Sequence, residues 1–190
     1  DENIVRVKSE GYSRDVVDAT DRSVNPNEMG HSPALVRGVL AGFKKYGYKI
    51  GGFDATTASR VIAGSGLSSS AAYEVLVGTM VNYLYNDGKV DAVTIAKIAQ
   101  YAENEYFGKP CGLMDQMACS VGGFVTIDFN DPKNPVIEEV DFDFAKCGHS
   151  LCIVDTKGSH SDLTDEYPAI RTEMERVAEF FGKKVLREVS

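Results

Sequence analysis

Hydrophobic residues recur three to four positions apart, the spacing of one helix face, in several stretches of the chain. This pattern predicts helices over residues 32–47, 69–85, 91–106, 113–119 and 168–181. In the first helix, Ser32 is expected at the N-cap and Pro33 at the first helical position. In the second, the predicted buried face comprises Ala72, Val75, Leu76, Met80, Tyr83 and Leu84.

Shorter stretches rich in β-branched and aromatic residues predict strands. They lie at Ile4–Val7, Asp15–Val17, 50–63, Phe124–Phe129, Val136–Val140 and Leu151–Val154. Strands and helices are grouped without the strict alternation that is typical of parallel α/β sheets. The sequence therefore predicts the α+β class.

The content of charged and apolar residues bears on which classes of binding partner are expected. The chain has 190 residues, with 20 Lys and Arg against 28 Asp and Glu, a formal net charge of −8. Nucleic acids and anionic membranes are bound by clustered basic residues, so neither partner is expected. The most apolar stretch, Val75–Leu84, is interrupted by polar residues and is far shorter than the ~20 apolar residues that a membrane-spanning helix needs.

The cysteines and the first residues bear on the cellular compartment. No two cysteines form a CxxC pair, which gives little support to a disulfide framework or a zinc site. No charged-then-apolar leader opens the chain, so we expect a cytoplasmic location. The chain begins with Asp1, just before the predicted strand Ile4–Val7, and is interpreted as a fragment of a longer protein.

The strongest local signal is the cluster Gly64-Ser65-Gly66-Leu67-Ser68-Ser69-Ser70, between a predicted strand and a predicted helix. Glycines allow close approach of the backbone to a ligand, and a helix start offers unpaired N–H groups to anions. The sequence therefore predicts a phosphate-binding loop. A flexible linker is the alternative, but a long amphipathic helix follows at once. Leu67 after the second glycine excludes a Walker loop, and Ser69 at the third glycine position excludes a dinucleotide fingerprint.

Two carboxylates in the segment 102–116 add candidate chemistry. Taken alone, Glu103 is most simply a solvated helix residue, and Asp115 an acid that favours a helix start. Beside a phosphate-binding loop they acquire roles. One could hold Mg²⁺ at nucleotide phosphates, and the other could orient or deprotonate an attacking hydroxyl.

These segments resemble a known family. Gly64–Ala72 is similar to the second conserved motif of the GHMP kinases, and Ala102-Glu103-Asn104 with Cys111-Gly112-Leu113-Met114-Asp115-Gln116 resembles the galactokinase branch. The similarity extends from the Pro33 helix to Tyr167-Pro168. It implies an N-terminal ATP-binding domain of the ribosomal protein S5 domain 2-like fold over 1–146, and the beginning of the C-terminal domain over 147–190.

The resemblance also implies roles for individual residues. Gly64, Ser65, Gly66, Leu67, Ser68, Ser69 and Ser70 would surround the triphosphate of ATP. A serine hydroxyl, assigned to Ser70, would bind Mg²⁺ together with Glu103; the choice among the serines stays open, because Ala72 stands where many galactokinases carry a hydroxyl residue. Asp115 would be the catalytic aspartate beside the anomeric hydroxyl of galactose, with Gly112 lining the sugar pocket and Tyr167 contacting the sugar.

The activity that the resemblance implies is transfer of the γ-phosphoryl group of MgATP to the 1-hydroxyl of galactose. A non-catalytic regulator that binds galactose and ATP is one alternative, and a kinase for another sugar such as N-acetylgalactosamine is a second. The N-terminal signature of the family is absent from these residues. We therefore expect the chain alone to be inactive. Because a truncated domain exposes sheet-edge N–H and C=O groups, we also expect a homodimer or domain-swapped assembly, through Ile4–Val7 or the helix Pro168–Phe181.

Overall fold

The computed structural model describes residues 3–61, 64, 66–131, 133–154 and 166–189, with the side chains of 166–168 outside that description. Strands β1 (Ile4–Ser9), β2 (Arg14–Asp18) and β3 (Phe53–Thr57) form one sheet in the order β2-β1-β3. The β1–β2 pair is antiparallel and the β1–β3 pair is parallel. The strands predicted at Ile4–Val7 and Asp15–Val17 are confirmed, each slightly longer than expected.

Helices α1 (Ser32–Lys45), α2 (Ser69–Tyr85) and α3 (Ala92–Tyr101) pack with this sheet around the main core. Alternate residues of β1 face the core because successive strand side chains point to opposite faces. The core contains Val5, Val7 and Val17 from the sheet, Val36, Val39, Leu40 and Phe43 from α1, Val75, Val77 and Val81 from α2, and Ile95, Ile98 and Ala99 from α3. This mixture of sheet and packed helices confirms the α+β class.

Two details of the helix predictions are wrong. His31 occupies the N-cap of α1 and Ser32 already lies inside the helix, one residue from the predicted position. In α2 the predicted ends hold, but Leu76, Tyr83 and Leu84 are exposed. The buried residues of α2 are Ala71, Glu74, Val75, Val77, Gly78, Val81 and Asn82. Small, medium-sized and polar side chains form the buried face of this helix, so the positions of its largest apolar residues did not predict that face.

The predicted helix 91–106 changes its geometry near its end. Regular α3 stops at Tyr101, and residues Ala102–Phe107 form a π-helical segment. The Gly108 N–H donates to the Glu103 carbonyl, five residues back, at 3.1 Å. Such π-helical segments are rare and occur frequently at functional sites. Here the segment carries Glu103 into the interior.

A second layer holds the remaining elements. Helix α4 (Met114–Val121) is followed by the antiparallel pair β4 (Phe124–Asp128) and β5 (Val136–Val140). Leu113 and Met117 pack with Ala96 of α3 in a separate apolar cluster that also contacts Ile127 of β4. This cluster fixes α4, and therefore Asp115, against the main body.

The last described elements are helix α5 (Glu166–Phe180) and a short 3₁₀ turn, Leu186–Glu188. The predicted strand Leu151–Val154 is wrong: these residues have no regular secondary structure and are exposed, and no strand of the described part pairs with them. Without a partner, their backbone groups form no ladder. Among the described residues, no helix combines the length and hydropathy needed to cross a bilayer. The domain boundary at 146–147 and the homodimer or domain-swapped assembly stay predictions.

Candidate functional site

The glycine- and serine-rich loop enters α2 through left-handed backbone conformations. Gly64, Gly66 and Ser68 have φ values of 73°, 76° and 59°. Glycine adopts such angles readily, whereas other residues seldom do. Ser68 is the N-cap of α2, yet its side chain makes no capping hydrogen bond, and the first turn contains no acidic residue. N–H groups at the helix start thus remain available to an anion. Ser65 lies outside the described residues.

The side chain of Ser68 contacts the second candidate segment, residues 102–116, at Asp115. Its Oγ donates a hydrogen bond to Asp115 Oδ2 at 2.5 Å. Asp115 lies in the first turn of α4, where the helix dipole favours a carboxylate. The contact joins residues that are 47 positions apart in sequence. The structure therefore places the predicted catalytic aspartate directly beside the loop.

Glu103 contacts the same loop at Ser70, two residues after Ser68. The Ser70 Oγ donates to Glu103 Oε1 at 2.9 Å, and the Lys109 Nζ lies 3.5 Å from that oxygen. The other carboxylate oxygen, Oε2, accepts a hydrogen bond from Gln116 Nε2 at 2.7 Å. Glu103 is 2% exposed, so it is a buried, multiply bonded carboxylate and not a solvated one. Ser70 and Glu103, which the sequence predicted to share a role, are in direct contact.

Behind Glu103 lies a second buried acid that the sequence analysis missed. Glu74 of α2 is fully buried, and its Oε2 lies 3.3 Å from Gln116 Nε2. Burial raises the pKa of Glu74 well above its ordinary value, and the negative charge of Glu103 raises it further. Glu74 Oε1 and Gln116 Oε1 are buried and have no hydrogen-bond partner among the described residues. A proton on Glu74 would avoid burying a second negative charge beside Glu103.

We expect Glu74→Gln to remove part of the pH dependence of stability. The folded carboxyl holds its proton more tightly than the unfolded chain does, so raising the pH above about 5 favours unfolding, by up to about 1.4 kcal/mol per pH unit. Urea unfolding in EDTA across this range measures the difference. Glu103, Lys109 and Asp115, the other charges near Glu74, are common to both proteins. Parallel curves for the two proteins would show that Glu74 is ionised in the folded state.

An open cleft of about 520 Å³ lies beside the loop and α4. Its lining residues are Leu67, Ser68, Met114, Asp115, Ala118, Cys119, Val125, Ile127 and Phe129. One wall is thus polar and carries Asp115, while β4 and the residue after it form an apolar wall. Gly112 is exposed and is not part of this lining. Tyr167 falls in the first turn of α5, and its side chain lies outside the described part.

The donor set fits a magnesium ion that is shared with phosphate oxygens. Mg²⁺ is usually held by one or two carboxylates, with waters and substrate phosphates completing its shell. In the described residues, no three His, Cys, Asp or Glu side chains are grouped as a full protein cage would need. The hydroxyl of Ser70 and the carboxylate of Glu103, in contact at the start of α2, match the smaller set.

Comparisons with known proteins agree with this geometry. The family model for the GHMP kinases N terminal domain matches residues 34–123. The curated galactokinase of Streptomyces coelicolor is 35% identical over 192 residues, covering 100% of this chain and 49% of its own. The galactokinase of Clostridium tetani is 45% identical over 86 residues, covering 45% of this chain and 22% of its own. The chain spans about half the length of the curated relatives that align with all or nearly all of it.

Solved structures show the same fold. Lactococcus lactis galactokinase complexed with galactose superposes with a TM-score of 0.74 at 22% identity, covering 100% of this chain and 50% of its own. Methanococcus jannaschii mevalonate kinase gives a TM-score of 0.57 at 16% identity over 76% of this chain and 44% of its own. Residues 34–123 therefore match the N-terminal domain of the GHMP kinases. Along its whole length, the chain resembles the galactokinases.

Three residues that contact Glu103 or lie beside it were not individual candidates in the sequence: Glu74, Lys109 and Gln116. Gln116 stands inside the motif that suggested Asp115, and Lys109 lies in the turn before it. For Glu74, the available signal is its position four residues after Ser70, about one helical turn, as the one charged residue of α2. That spacing places both side chains on the same face, as the structure shows.

Proposed function

We propose that the protein containing this chain transfers the γ-phosphoryl group of MgATP to the 1-hydroxyl of α-D-galactose, giving galactose 1-phosphate and ADP. The observation that carries the proposal is a pair of hydrogen bonds from one loop to two carboxylates, Ser68 to Asp115 and Ser70 to Glu103. Phosphoryl transfer depends on positioning and charge stabilisation, which such a loop and two acids can supply. Relatives named galactokinase that cover the whole chain support the choice of sugar.

Residues 64–70 are proposed to bind the triphosphate. The left-handed glycines shape the loop, and the uncapped N–H groups at the start of α2 would donate to phosphate oxygens. Lys109 adds a positive charge at the same place, because its Nζ lies 3.5 Å from Glu103. These local devices explain how a chain with a net charge of −8 could bind a polyanion.

Ser70 and Glu103 are proposed to hold the magnesium ion of MgATP. When bound, Mg²⁺ would neutralise negative charge on the phosphate oxygens. The protein's contribution is a carboxylate that is already fixed on both oxygens, by Ser70 on one side and Gln116 on the other. Fixed groups lose little conformational entropy when the ligand arrives.

Asp115 is proposed to orient the 1-hydroxyl of the sugar and to accept its proton. The hydroxyl oxygen forms its bond to the γ-phosphorus while the bond from that phosphorus to the β–γ bridging oxygen breaks, and ADP leaves with those electrons. The position of Asp115 in the cleft lining, beside the loop, suits this role. Gly112 and Tyr167 are proposed to contact the sugar.

Glu103→Gln is expected to raise the Mg²⁺ concentration for half-maximal rate by at least about tenfold. Loss of an outer-shell partner already costs about 10- to 100-fold in metal affinity, and this change removes a charged ligand. A magnesium titration of the full-length gene product measures the effect. Glu105→Gln, which alters an exposed acid of the same π-helical segment, is the matched control. Equal magnesium dependence in both variants would return Glu103 to a purely structural role.

A panel of sugars in an ADP-release assay tests the proposed activity. The full-length gene product is incubated with MgATP and galactose, N-acetylgalactosamine or glucose. ADP release that depends on galactose is expected. Release only with N-acetylgalactosamine would assign another sugar kinase, and binding of galactose and ATP without ADP release would assign a regulator. The cytoplasmic location stays a prediction.

A further inference from the structure

We propose that Gln116 is a positioning residue that fixes the direction of the Glu103 carboxylate, so that one carboxylate oxygen is presented to Ser70 and to a metal ion. This inference rests on the proposed function, because it concerns the same metal-binding pair. Gln116 is 1% exposed and lies in α4, next to Asp115. The bond from its Nε2 to Glu103 Oε2 measures 2.7 Å.

The two oxygens of Glu103 have different partners. Oε2 accepts the hydrogen bond from Gln116, whereas Oε1 accepts from Ser70 and lies near Lys109. A carboxylate that is bonded through one oxygen only can rotate about its last side-chain bond. A buried donor on Oε2 stops this rotation and directs Oε1 toward the loop. Gln116 supplies such a donor at Oε2.

The orientation of the Gln116 amide follows from its surroundings. Its Nε2 lies within hydrogen-bond distance of carboxylate oxygens from both Glu103 and Glu74. An amide nitrogen donates two hydrogens, whereas an amide oxygen only accepts. Turning the amide over would set its oxygen against the Glu103 carboxylate, which can only accept, and this is unfavourable in a buried place. The donor side is therefore held toward Glu103.

Helix α4 gives this arrangement its rigidity. Met117, the next residue, is fully buried in the cluster with Leu113 and Ala96. Consecutive residues of one anchored turn thus belong to the site. Asp115 is one of its acids and accepts from Ser68, and Gln116 donates to the other acid, Glu103. A shift of this turn would disturb the two carboxylates together.

The experiment measures metal binding directly. Binding of Mn²⁺ to the full-length gene product with saturating ADP is followed by electron paramagnetic resonance, and binding of ADP in EDTA by calorimetry. Gln116→Met, which keeps the side-chain length and removes the amide, is expected to weaken Mn²⁺ binding by about 10- to 100-fold. Affinity for metal-free ADP should change less than about threefold, which a general loss of structure would not allow.

Gln100→Met is the matched control. Gln100 is another glutamine of this region, partly buried, but it donates to the Cys111 carbonyl and not to an acid. Its replacement should leave Mn²⁺ affinity unchanged. If Gln116→Met does not fold, Gln116→Asn, whose amide is one methylene shorter, should show the same loss of Mn²⁺ affinity.

The outcomes separate the two proposals. Wild-type Mn²⁺ affinity in a folded Gln116→Met or Gln116→Asn protein would overturn the positioning role and leave the proposed function standing. Equal losses for Mn²⁺ and for metal-free ADP would also overturn it. Absence of Mn²⁺ and ADP binding in the wild type would overturn the proposed function and this inference with it.

Discussion

Asp115→Asn is expected to lower the turnover number for galactose phosphorylation by about 10²- to 10⁴-fold and to leave ATP affinity nearly unchanged. A positioned proton acceptor contributes about this much, and it acts on the transition state more than on the bound ground state. Asparagine keeps an oxygen that can accept the hydrogen bond from Ser68, so the loop should retain its shape. Steady-state kinetics and ATP calorimetry measure the two effects.

The exposed acid Glu105 again supplies the control, because Glu105→Gln removes a carboxylate of the neighbouring segment without touching the cleft. Its turnover number should match that of the wild type. A wild-type turnover number in Asp115→Asn would remove Asp115 from the catalytic role. An equal loss of ATP affinity and turnover would instead mean that the substitution had damaged the loop through Ser68.

Gly66→Val is expected to weaken ATP binding by about five- to hundredfold while sugar affinity changes little. Gly66 has φ = 76°, a conformation that costs a β-branched residue about 1–3 kcal/mol. The new Cβ would also obstruct approach of phosphate to the backbone. Calorimetric titrations with ATP and with galactose measure the two affinities.

Gly182→Val is the matched control for backbone strain. Gly182 also has a positive φ, 68°, and a Cβ there would meet no atom within 4 Å. It follows α5, far along the chain from the loop, so its replacement should strain the backbone and spare ATP binding. Wild-type ATP affinity in a folded Gly66→Val protein would argue against the loop as the phosphate site.

The sequence predicted the ends of α2 well because both are marked by turn residues. The glycine and serine cluster precedes it, and Asn86-Asp87-Gly88 follows it. Its buried face could not be predicted, since that face depends on what packs against it. A Cβ on Gly78 would lie 3.1 Å from Ile95 Cγ2, so close packing selects a glycine there. Leu84, by contrast, faces solvent.

The helix predicted over 91–106 has the expected extent, but its change of geometry could not be predicted, for a related reason. A change from α-helical to π-helical hydrogen bonding at Ala102 leaves no mark in hydrophobic spacing. The π-helical segment packs closely against α1, where a Cβ on Gly38 would lie 2.7 Å from Ala102 Cα. Local sequence does not report that contact.

In the candidate site, the motifs predicted which groups would matter, and the contact between Ser70 and Glu103 agrees with their predicted shared role. The motifs could not reveal that Glu103 is buried, because an isolated carboxylate on a helix is usually exposed. Nor could they show that Glu74 and Gln116 complete the network, since these contacts join separate helices across 42 positions. Such polar contacts are a product of the folded packing.

The loop and its two acids are proposed to deliver the phosphoryl group of ATP to the anomeric hydroxyl of galactose. The most direct test is phosphorus-31 NMR of the product that the full-length gene product forms from galactose and MgATP. The expected result is one sugar phosphate whose phosphorus couples to the anomeric proton, formed in equal amount to ADP. A phosphate on another hydroxyl, or bound ATP and galactose with no sugar phosphate, would contradict the account.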